Sequence, residues 1–231
     1  MGLSEKNRLS EFDQFSEAYR ELVDRNIRIS GEKGEYFAAY KARLVAANVG
    51  PKQDCRILDY GCGIGLVCGE MKRLIPCARI DGYDISQKSL DQIDSALRAQ
   101  GIFTCETREL SRDYDLVIMA NVLHHIQPGA RQDTISNVAE HLGVNGKLVI
   151  FEHNPRNPLT RRAVESCPFD EDTTLLPPRE TLRYFSRNGF RKIRLEYIVF
   201  FPHFLRWLRP LEPFLQGFSL GAQYVVTGSK A

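Results

Sequence analysis

The sequence predicts an α/β domain built on a mostly parallel sheet with helices on both faces. From about residue 54, short apolar runs alternate with segments of helical periodicity, as in repeated strand–helix units. The runs ILDY, DLVIM and KLVIF are apolar without strict alternation, which is typical of strands covered on both sides. A chain of 231 residues with 43% hydrophobic residues suits one such domain with a large core.

Seven strands are expected, in the segments CRILDYG, RIDGYDIS, IFTCETREL, YDLVIMANVL, KLVIFEH, RKIRLEYIVFF and AQYVVTGSK, the last two forming an antiparallel closing pair. Four helices are predicted among them, in GLVCGEMKRLI, QKSLDQIDSALRAQG, QDTISNVAEHLGVNG and PRETLRYFSRNGF. Residues 10–48 read as two further helices, and the Pro-rich stretch 154–178 as an irregular loop. We therefore divide the single domain 1–231 into an N-terminal helical cap (1–50), a central core (51–153) and a substrate lid with the closing strands (154–231).

Composition limits the classes of partner. The net charge of +2 is too small to favour a nucleic-acid binder. Residues 153–231 hold 12 Lys/Arg against 7 Asp/Glu; this bias suits an acidic substrate or an anionic membrane surface, although a solvated basic face is its commoner cause. Six cysteines follow no zinc spacing and fit a reducing compartment. With neither a signal peptide nor a long apolar run, we expect a cytoplasmic protein, as a monomer or homodimer.

The segment ILDYGCGIG, residues 57–65, carries the strongest functional signal. A buried strand runs into a glycine turn that opens a helix, so Gly61 and Gly63 let the backbone turn sharply and lie against a ligand. Asp84 ends the second strand, where a carboxylate can accept hydrogen bonds from two ribose hydroxyls. A dinucleotide-binding G-x-G-x-x-G would need glycine where Leu66 stands. The spacing therefore favours a different nucleoside ligand.

The segments LDYGCGIG, GYDIS, YDLVIMANVLHHI and GKLVIFEHNP occur in this order, and together they resemble the class I S-adenosylmethionine-dependent methyltransferases of the small-molecule type. The resemblance covers about residues 35–231. It implies a Rossmann-like fold, S-adenosylmethionine as cofactor and S-adenosylhomocysteine as product. The stretch FEHNPRNPLTRR with CPFDED is similar to a subgroup associated with polysaccharide, lipid or natural-product pathways, which implies a small-molecule, sugar or lipid-linked acceptor and no nucleic acid.

The resemblance also implies roles for single residues. Those around the methionine part of the cofactor are Asp59, Gly61, Cys62, Gly63, Asn121, Val122 and Leu123. Those around the nucleoside are Asp84 for the ribose, Ile85 for the adenine face, and Glu106 with Thr107 near the adenine amino group. The family more often has Asp where this sequence has Glu106. Asp84 could instead cap the following helix, although Ser86 is the better cap.

If the acceptor is a hydroxyl, a general base that removes its proton would assist the transfer. His153, at the end of the fifth strand, is the first candidate because imidazole titrates near neutrality, and His125, after the fourth strand, is the second. His141 reads as a helix-end residue and His203 as a residue that could line a substrate pocket. The histidines form no metal-binding pattern, so we predict no metal.

The segments after residue 153 are predicted to contact the acceptor. In the lid, the candidate contacts are Arg156, Arg161, Arg162 and Phe169. Arg179, Arg183 and Arg187 form a stripe on one helix, read as solvated, with phosphate binding as the alternative. Segment 200–218 is rich in Phe, Leu and Trp with interspersed Arg; it is read as a lid or dimer contact, with a peripheral membrane patch as the alternative.

Three other functions remain to be weighed. A catalytically inert S-adenosylmethionine-binding scaffold would keep the same glycine turn. A nucleotide-dependent dehydrogenase would share the fold, but Leu66 opposes it. A nucleic-acid methyltransferase is disfavoured because the turn after the fourth strand reads NVLHHI rather than an NPPY-like sequence.

Overall fold

The computed structural model describes residues 30–50, 54–167 and 173–231, and its strands form a single seven-stranded sheet. In chain order they are β1 (Arg56–Tyr60), β2 (Arg79–Tyr83), β3 (Phe103–Thr104), β4 (Tyr114–Ala120), β5 (Leu142–His153), β6 (Arg191–Ile198) and β7 (Gln223–Ser229). Across the sheet the order is β3-β2-β1-β4-β5-β7-β6. Strand β7 runs antiparallel to both β5 and β6, and the other neighbouring pairs are parallel. The predicted fold class is confirmed.

The helices of the described ranges are α1 (Gly34–Val49), α2 (Leu66–Leu74), α3 (Gln87–Asp91), α4 (Ser95–Arg98), α5 (Arg131–Glu140), α6 (Pro158–Glu165), α7 (Pro178–Arg187) and α8 (Glu212–Leu215). Short 3-10 helices cover Thr107–Glu109, Leu123–His125 and His203–Leu211. Helix α1 is the second of the two N-terminal helices that the sequence predicts. The first falls mostly on residues before Ser30 and lies outside the described residues.

Apolar side chains pack on both faces of the sheet. Adjacent residues of a strand point to opposite faces, and Ile57 and Leu58 accordingly belong to two separate core clusters. Ile57 packs with α1 and α2, including the fully buried Met71. Leu58 packs with α5 and α7, including Ile135 and Phe185. This double coverage explains why the strand sequences are continuously apolar.

Some elements are shorter than the sequence predicts, among them the helix expected over residues 132–146, which ends at Glu140 because β5 already begins at Leu142. The helix expected over residues 87–101 is broken into α3 and α4, because the Asp94 side chain accepts hydrogen bonds from the amides of Ala96 (2.9 Å) and Leu97 (3.2 Å) and starts a new helix. The third strand keeps only two residues. The Thr104 hydroxyl donates to Glu109 (2.6 Å) and accepts from the Glu106 amide (2.9 Å), and this local bonding ends the strand.

Helix α6 corrects the prediction that residues 154–178 are irregular. The Asn157 side chain accepts hydrogen bonds from the amides of Leu159 and Thr160, each at 3.0 Å, and so caps the helix. Pro158 occupies the first helical position, where a proline is favourable. Pro158 therefore starts a helix within a stretch that the sequence analysis reads as an irregular, Pro-rich loop.

Candidate functional site

The glycine turn after β1 lies at the carboxyl edge of the sheet. Gly61 has φ +84, and its amide donates to the Tyr83 carbonyl at 2.7 Å. A side chain at Gly61 would place its Cβ 2.4 Å from Val122 Cγ2, so the turn packs directly on the loop that follows β4. At Gly63, with φ +52, an added Cβ would meet no atom within 4 Å. The turn is thus closed on one side and open beside Gly63.

Asp84 faces this turn from the end of β2. One carboxylate oxygen accepts from the Gly63 amide at 2.7 Å and the other from the Ser86 amide at 2.9 Å. The Ser86 hydroxyl caps α3 by accepting from the Ser89 amide at 3.1 Å, as the sequence predicts, so Asp84 is not the helix cap. Burial raises the pKa of Asp84, against the effect of its backbone hydrogen bonds. Next to it, Ile85 is 38% exposed.

Two buried acceptors lie near the turn with an oxygen that is unpaired within the described residues. Asp59, in β1, accepts from the Cys68 thiol at 3.2 Å with one oxygen, while its Oδ1 has no hydrogen-bond partner. Asn121, directly after β4, has φ +59, and its Oδ1 is likewise unpaired. Burial raises the pKa of Asp59 to about 6, although Cys68 and Lys41 oppose this rise. Unpaired buried acceptors are rare in proteins and call for a donor.

A buried ammonium group accompanies these carboxylates. Lys41 of α1 is 6% exposed, and its Nζ lies 5.9 Å from the centroid of the Phe151 ring. Burial lowers its pKa to about 8, while the negative charges of Glu152 and Asp59 counteract this shift. The sequence analysis did not select Lys41. Its position on the buried stripe of α1, between Ala38 and Ala42, is the signal that could have revealed it.

Glu152 and His124 form a buried pair at the ends of β5 and β4. One Glu152 oxygen lies 2.6 Å from His124 Nδ1, and the other accepts from the Leu123 amide at 2.7 Å. Although burial disfavours the carboxylate, the charge and hydrogen bond of His124 hold the pKa of Glu152 below its usual range. The His124 ring centroid lies 4.1 Å from that of His125 and 5.1 Å from that of His153. Both candidate bases, each half-buried, therefore neighbour a histidine at a strand end to which the sequence analysis gave no role.

Comparison with known proteins identifies a domain in the central part of the chain. Residues 58–148 match the protein family described as a methyltransferase domain. By this match, residues 58–148 form a methyltransferase domain within the seven-stranded sheet described above. The chain is 26% identical over 147 residues to the malonyl-[acyl-carrier protein] O-methyltransferase of Bacillus anthracis, a match covering 60% of this chain and 52% of the relative. The match thus spans about half the length of that curated relative.

Solved structures show the same methyltransferase fold. A S-adenosylmethionine-dependent methyltransferase from Archaeoglobus fulgidus is similar with a TM-score of 0.67 and 15% identity, over 86% of this chain and 95% of that one. A Thermotoga maritima protein described as a possible histamine N-methyltransferase has a TM-score of 0.66 and 17% identity, over 95% of this chain and 98% of that one.

The remaining predicted cofactor residues of the methyltransferase lie at the same edge. The Cys62 amide donates to the Tyr83 carbonyl at 3.0 Å, while its side chain is buried. Val122 contacts the turn at Gly61, and Leu123 is fully buried. Glu106 and Thr107 follow β3 and are exposed, and the Glu106 carboxylate lies 3.8 Å from the Arg108 guanidinium.

Arg131, which the sequence analysis did not select, fixes the loop that carries His124 and His125. This side chain is 1% exposed, and its Nε donates to the carbonyls of Leu123 (3.0 Å) and Ile126 (2.9 Å). Its two Nη atoms bond the Thr174 carbonyl (2.6 Å) and the Glu180 carboxylate (3.0 Å). One arginine therefore ties the site loop to helix α7 and to the chain that precedes it.

The other singled-out residues have simpler surroundings. His141 is buried at the end of α5, with Nδ1 2.7 Å from the Ser111 carbonyl, and exposed His203 bonds Glu32 at 3.0 Å. The exposed arginines are Arg156, Arg161, Arg162 and, on α7, Arg179, Arg183 and Arg187. Phe169 lies outside the described residues. In the described part of the chain, no group of three or more His, Cys, Asp or Glu side chains could hold a metal ion.

Proposed function

We propose that this chain transfers the methyl group of S-adenosylmethionine to the oxygen of a small-molecule, sugar or lipid-type acceptor. The observation that carries the proposal is the set of acceptors around the open glycine turn: the unpaired Asp59 Oδ1 and Asn121 Oδ1 and the Asp84 carboxylate. The Bacillus anthracis relative is an O-methyltransferase, which supports oxygen as the accepting atom.

The site residues fit the chemical groups of this cofactor. Its α-ammonium group is a cationic donor, which suits two buried unpaired acceptors, one of them a carboxylate. Its ribose carries two neighbouring hydroxyls, and the Asp84 carboxylate is held in a fixed orientation by two backbone amides. The exposed Ile85 would pack on the adenine, with Glu106 and Thr107 near its amino group. Gly61, Cys62, Gly63, Val122 and Leu123 would line the methionine part.

When bound, the cofactor supplies a methyl group on a sulfonium sulfur that is already a good leaving group. The protein then has to align the acceptor oxygen with that methyl group, exclude water and receive the acceptor proton. We assign proton removal to His153, with His125 as the second candidate. We further propose that residues 154–178 cover the acceptor, with residues 1–50 as a cap and 51–153 as the cofactor-binding core.

Isothermal titration calorimetry with the Asp84→Ala variant tests the cofactor assignment. We expect S-adenosylmethionine and S-adenosylhomocysteine to bind the parent chain, and NAD not to bind. Asp84→Ala should weaken binding by about 100-fold, because hydrogen bonds to a charged acceptor contribute about 1.5–3 kcal/mol each. Asp91→Ala, an exposed carboxylate on α3, is the matched control and should bind as the parent does.

Two results would reject or narrow this proposal. Absence of binding heat in the parent chain, or NAD binding in its place, would overturn the cofactor assignment. Binding without release of S-adenosylhomocysteine across a panel of hydroxyl, amine and carboxyl acceptors would favour the inert scaffold.

Cofactor binding is expected to weaken as the pH falls through about 6. Asp59 has a pKa raised to about 6, so it is ionised above that pH and neutral below it. A neutral Asp59 no longer attracts the cofactor ammonium, and the affinity should drop by up to about tenfold per pH unit below pH 6. Calorimetry between pH 5 and about 8 would measure this. Asp59→Asn should bind weakly with a flatter profile, and an unchanged profile in that variant would contradict the assignment.

A further inference from the structure

An exposed apolar stripe runs along the connection between β6 and β7. We define the aromatic stripe as Phe204, Trp207, Leu211, Phe214 and Phe218, which are between 48% and 80% exposed. These positions follow one another at intervals of three or four residues along the 3-10 helix, α8 and the turn that follows. In a continuous helix such spacing would place the side chains on one face; here the backbone is non-helical at Leu205, so Phe204 precedes a kink in the segment. Leu220 (72% exposed) and Leu159 of α6 (56% exposed) are further exposed apolar residues nearby.

The opposite, inward side of this segment is fastened to the protein by polar contacts. Buried Glu212 accepts hydrogen bonds from the amides of Phe200 (3.0 Å) and Phe201 (3.2 Å) and from the Tyr40 hydroxyl (3.0 Å). The Arg209 guanidinium bonds Glu32 at 2.6 Å. The segment therefore turns its carboxylate inward and its large apolar side chains outward, the reverse of an ordinary surface helix.

Exposed arginines lie in the stripe segment and on the neighbouring helix α6, where Arg161 also lies 3.6 Å from the Glu165 carboxylate. Glu212 is the only acidic residue in 199–222, and it is buried. On the outer surface, Arg206 lies between the first two stripe residues and is exposed. Helix α6 carries the exposed Arg161 and Arg162, and the Asn157 side chain that caps it donates to the Leu220 carbonyl at 2.8 Å. Aromatic side chains bordered by arginines are typical of surfaces that lie in the headgroup region of a bilayer.

The aromatic stripe lies at the same edge of the sheet as the candidate site. Segment 199–222 leaves the sheet after Ile198 and re-enters it at Gln223, and both residues are register partners. Gln223 is also the register partner of His153, the proposed base at the end of β5. A partner surface that binds the aromatic stripe would therefore face the opening of the candidate site.

We propose that the aromatic stripe docks the protein onto an anionic lipid membrane surface. Large apolar side chains that are exposed close together mark interaction surfaces. The absence of exposed carboxylates from the segment, together with the neighbouring arginines, is complementary to anionic headgroups. In the described ranges, no helix is long and apolar enough to cross a membrane. This docking is independent of the reaction that the site performs.

The single tryptophan of the chain, Trp207, lies in the stripe and reports on its environment. With vesicles of phosphatidylcholine and phosphatidylglycerol, we expect the parent chain to co-sediment. The emission of Trp207 should shift to shorter wavelength, and iodide should quench it less. Vesicles of phosphatidylcholine alone, or added salt, should weaken binding because the headgroup attraction is then absent or screened.

Two variants locate the contact. The double variant Phe204→Glu with Phe214→Glu keeps Trp207. It should lower the vesicle partition coefficient by at least about tenfold for each side chain, because each phenylalanine no longer buries apolar surface in the membrane. Both phenylalanines are 75% or more exposed, so the core is untouched. Val144→Glu is the matched control: Val144 is 84% exposed but lies near the start of β5, at the opposite edge, and should bind vesicles normally. Calorimetry with S-adenosylmethionine on both variants separates this proposal from the cofactor assignment.

Three outcomes would overturn the proposal. The first is absence of vesicle binding by the parent chain. The second is shielding of Trp207 from iodide without vesicles that is lost when residues 1–25 are removed. This result would mean that the chain's own N-terminal segment covers the stripe. The third is shielding that increases with protein concentration alone, which would assign it to a second copy.

Discussion

Replacing His153 by glutamine is expected to lower kcat by about 10²–10⁴-fold, the usual contribution of a general base. His153 ends β5 at the carboxyl edge of the sheet, half-buried, with its ring 5.1 Å from that of His124. Glutamine keeps a polar side chain of similar reach but cannot accept the acceptor proton. Affinity for S-adenosylmethionine should be unchanged, because the cofactor residues are untouched. Release of S-adenosylhomocysteine with an acceptor found in the panel would measure the effect.

His125→Gln is the matched comparison, since His125 is also half-buried and lies 4.1 Å from the His124 ring. We expect it to retain most of the activity and the acidic limb of the pH–rate profile, which the His153 variant should lose. A larger loss in His125→Gln would reverse the assignment. Equal, small losses in both variants would mean that neither imidazole removes the proton.

Replacing Arg131 by leucine is expected to reduce the free energy of unfolding by about 3–5 kcal/mol, because buried carbonyls lose a charged donor and the part-buried Glu180 loses its ion-pair partner. The guanidinium satisfies the carbonyls of Leu123, Ile126 and Thr174 and the Glu180 carboxylate. Leucine fills part of the space and removes the donor to the Ile126 and Thr174 carbonyls, while the Leu123 carbonyl keeps the Ile126 amide and Glu180 keeps the Tyr184 hydroxyl. Chemical denaturation of the parent and the variant would give the difference.

Arg179→Leu is the control for this change. Arg179 lies at the start of α7 beside Glu180, but it is exposed, and its replacement should alter the stability by no more than about 0.5 kcal/mol. A loss below about 1 kcal/mol in Arg131→Leu would contradict the structural role given to Arg131. Near-parental stability with lost cofactor binding would instead place Arg131 in the site.

The fold was predictable because its signals are local and repeated. A strand that is buried on both faces is recognisable as a short apolar run. Because both faces of the sheet are covered, its apolar and polar residues need not alternate. The glycine turn was predictable for the same reason: residues 57–65 contain the strand, the turn and the start of the helix. The caps of α4 and α6, at Asp94 and Asn157, are also local sequence signals. The prediction gave more weight to the continuous helical periodicity around Asp94 and to the prolines around Asn157.

The charged interior of the site could not be predicted, because it depends on residues far apart in the chain. Glu152 bonds an amide 29 positions away, and Arg131 bonds Glu180 across 49 positions. Lys41 acquires its two acidic neighbours only after α1 packs on the sheet. A lone Lys, Glu or Arg in a sequence is usually solvated, so its burial becomes visible only when the tertiary partners are known.

The order of the strands has a consequence for biosynthesis. Strand β7 is translated after β6, yet it lies between β5 and β6 and supplies the partner of both. Until the ribosome has delivered β7, the flank of β5 is open and β6 has no neighbour in the sheet, so the nascent chain presents unsatisfied backbone groups. Stalled or truncated translation products lacking β7 should for this reason be the species most dependent on chaperones.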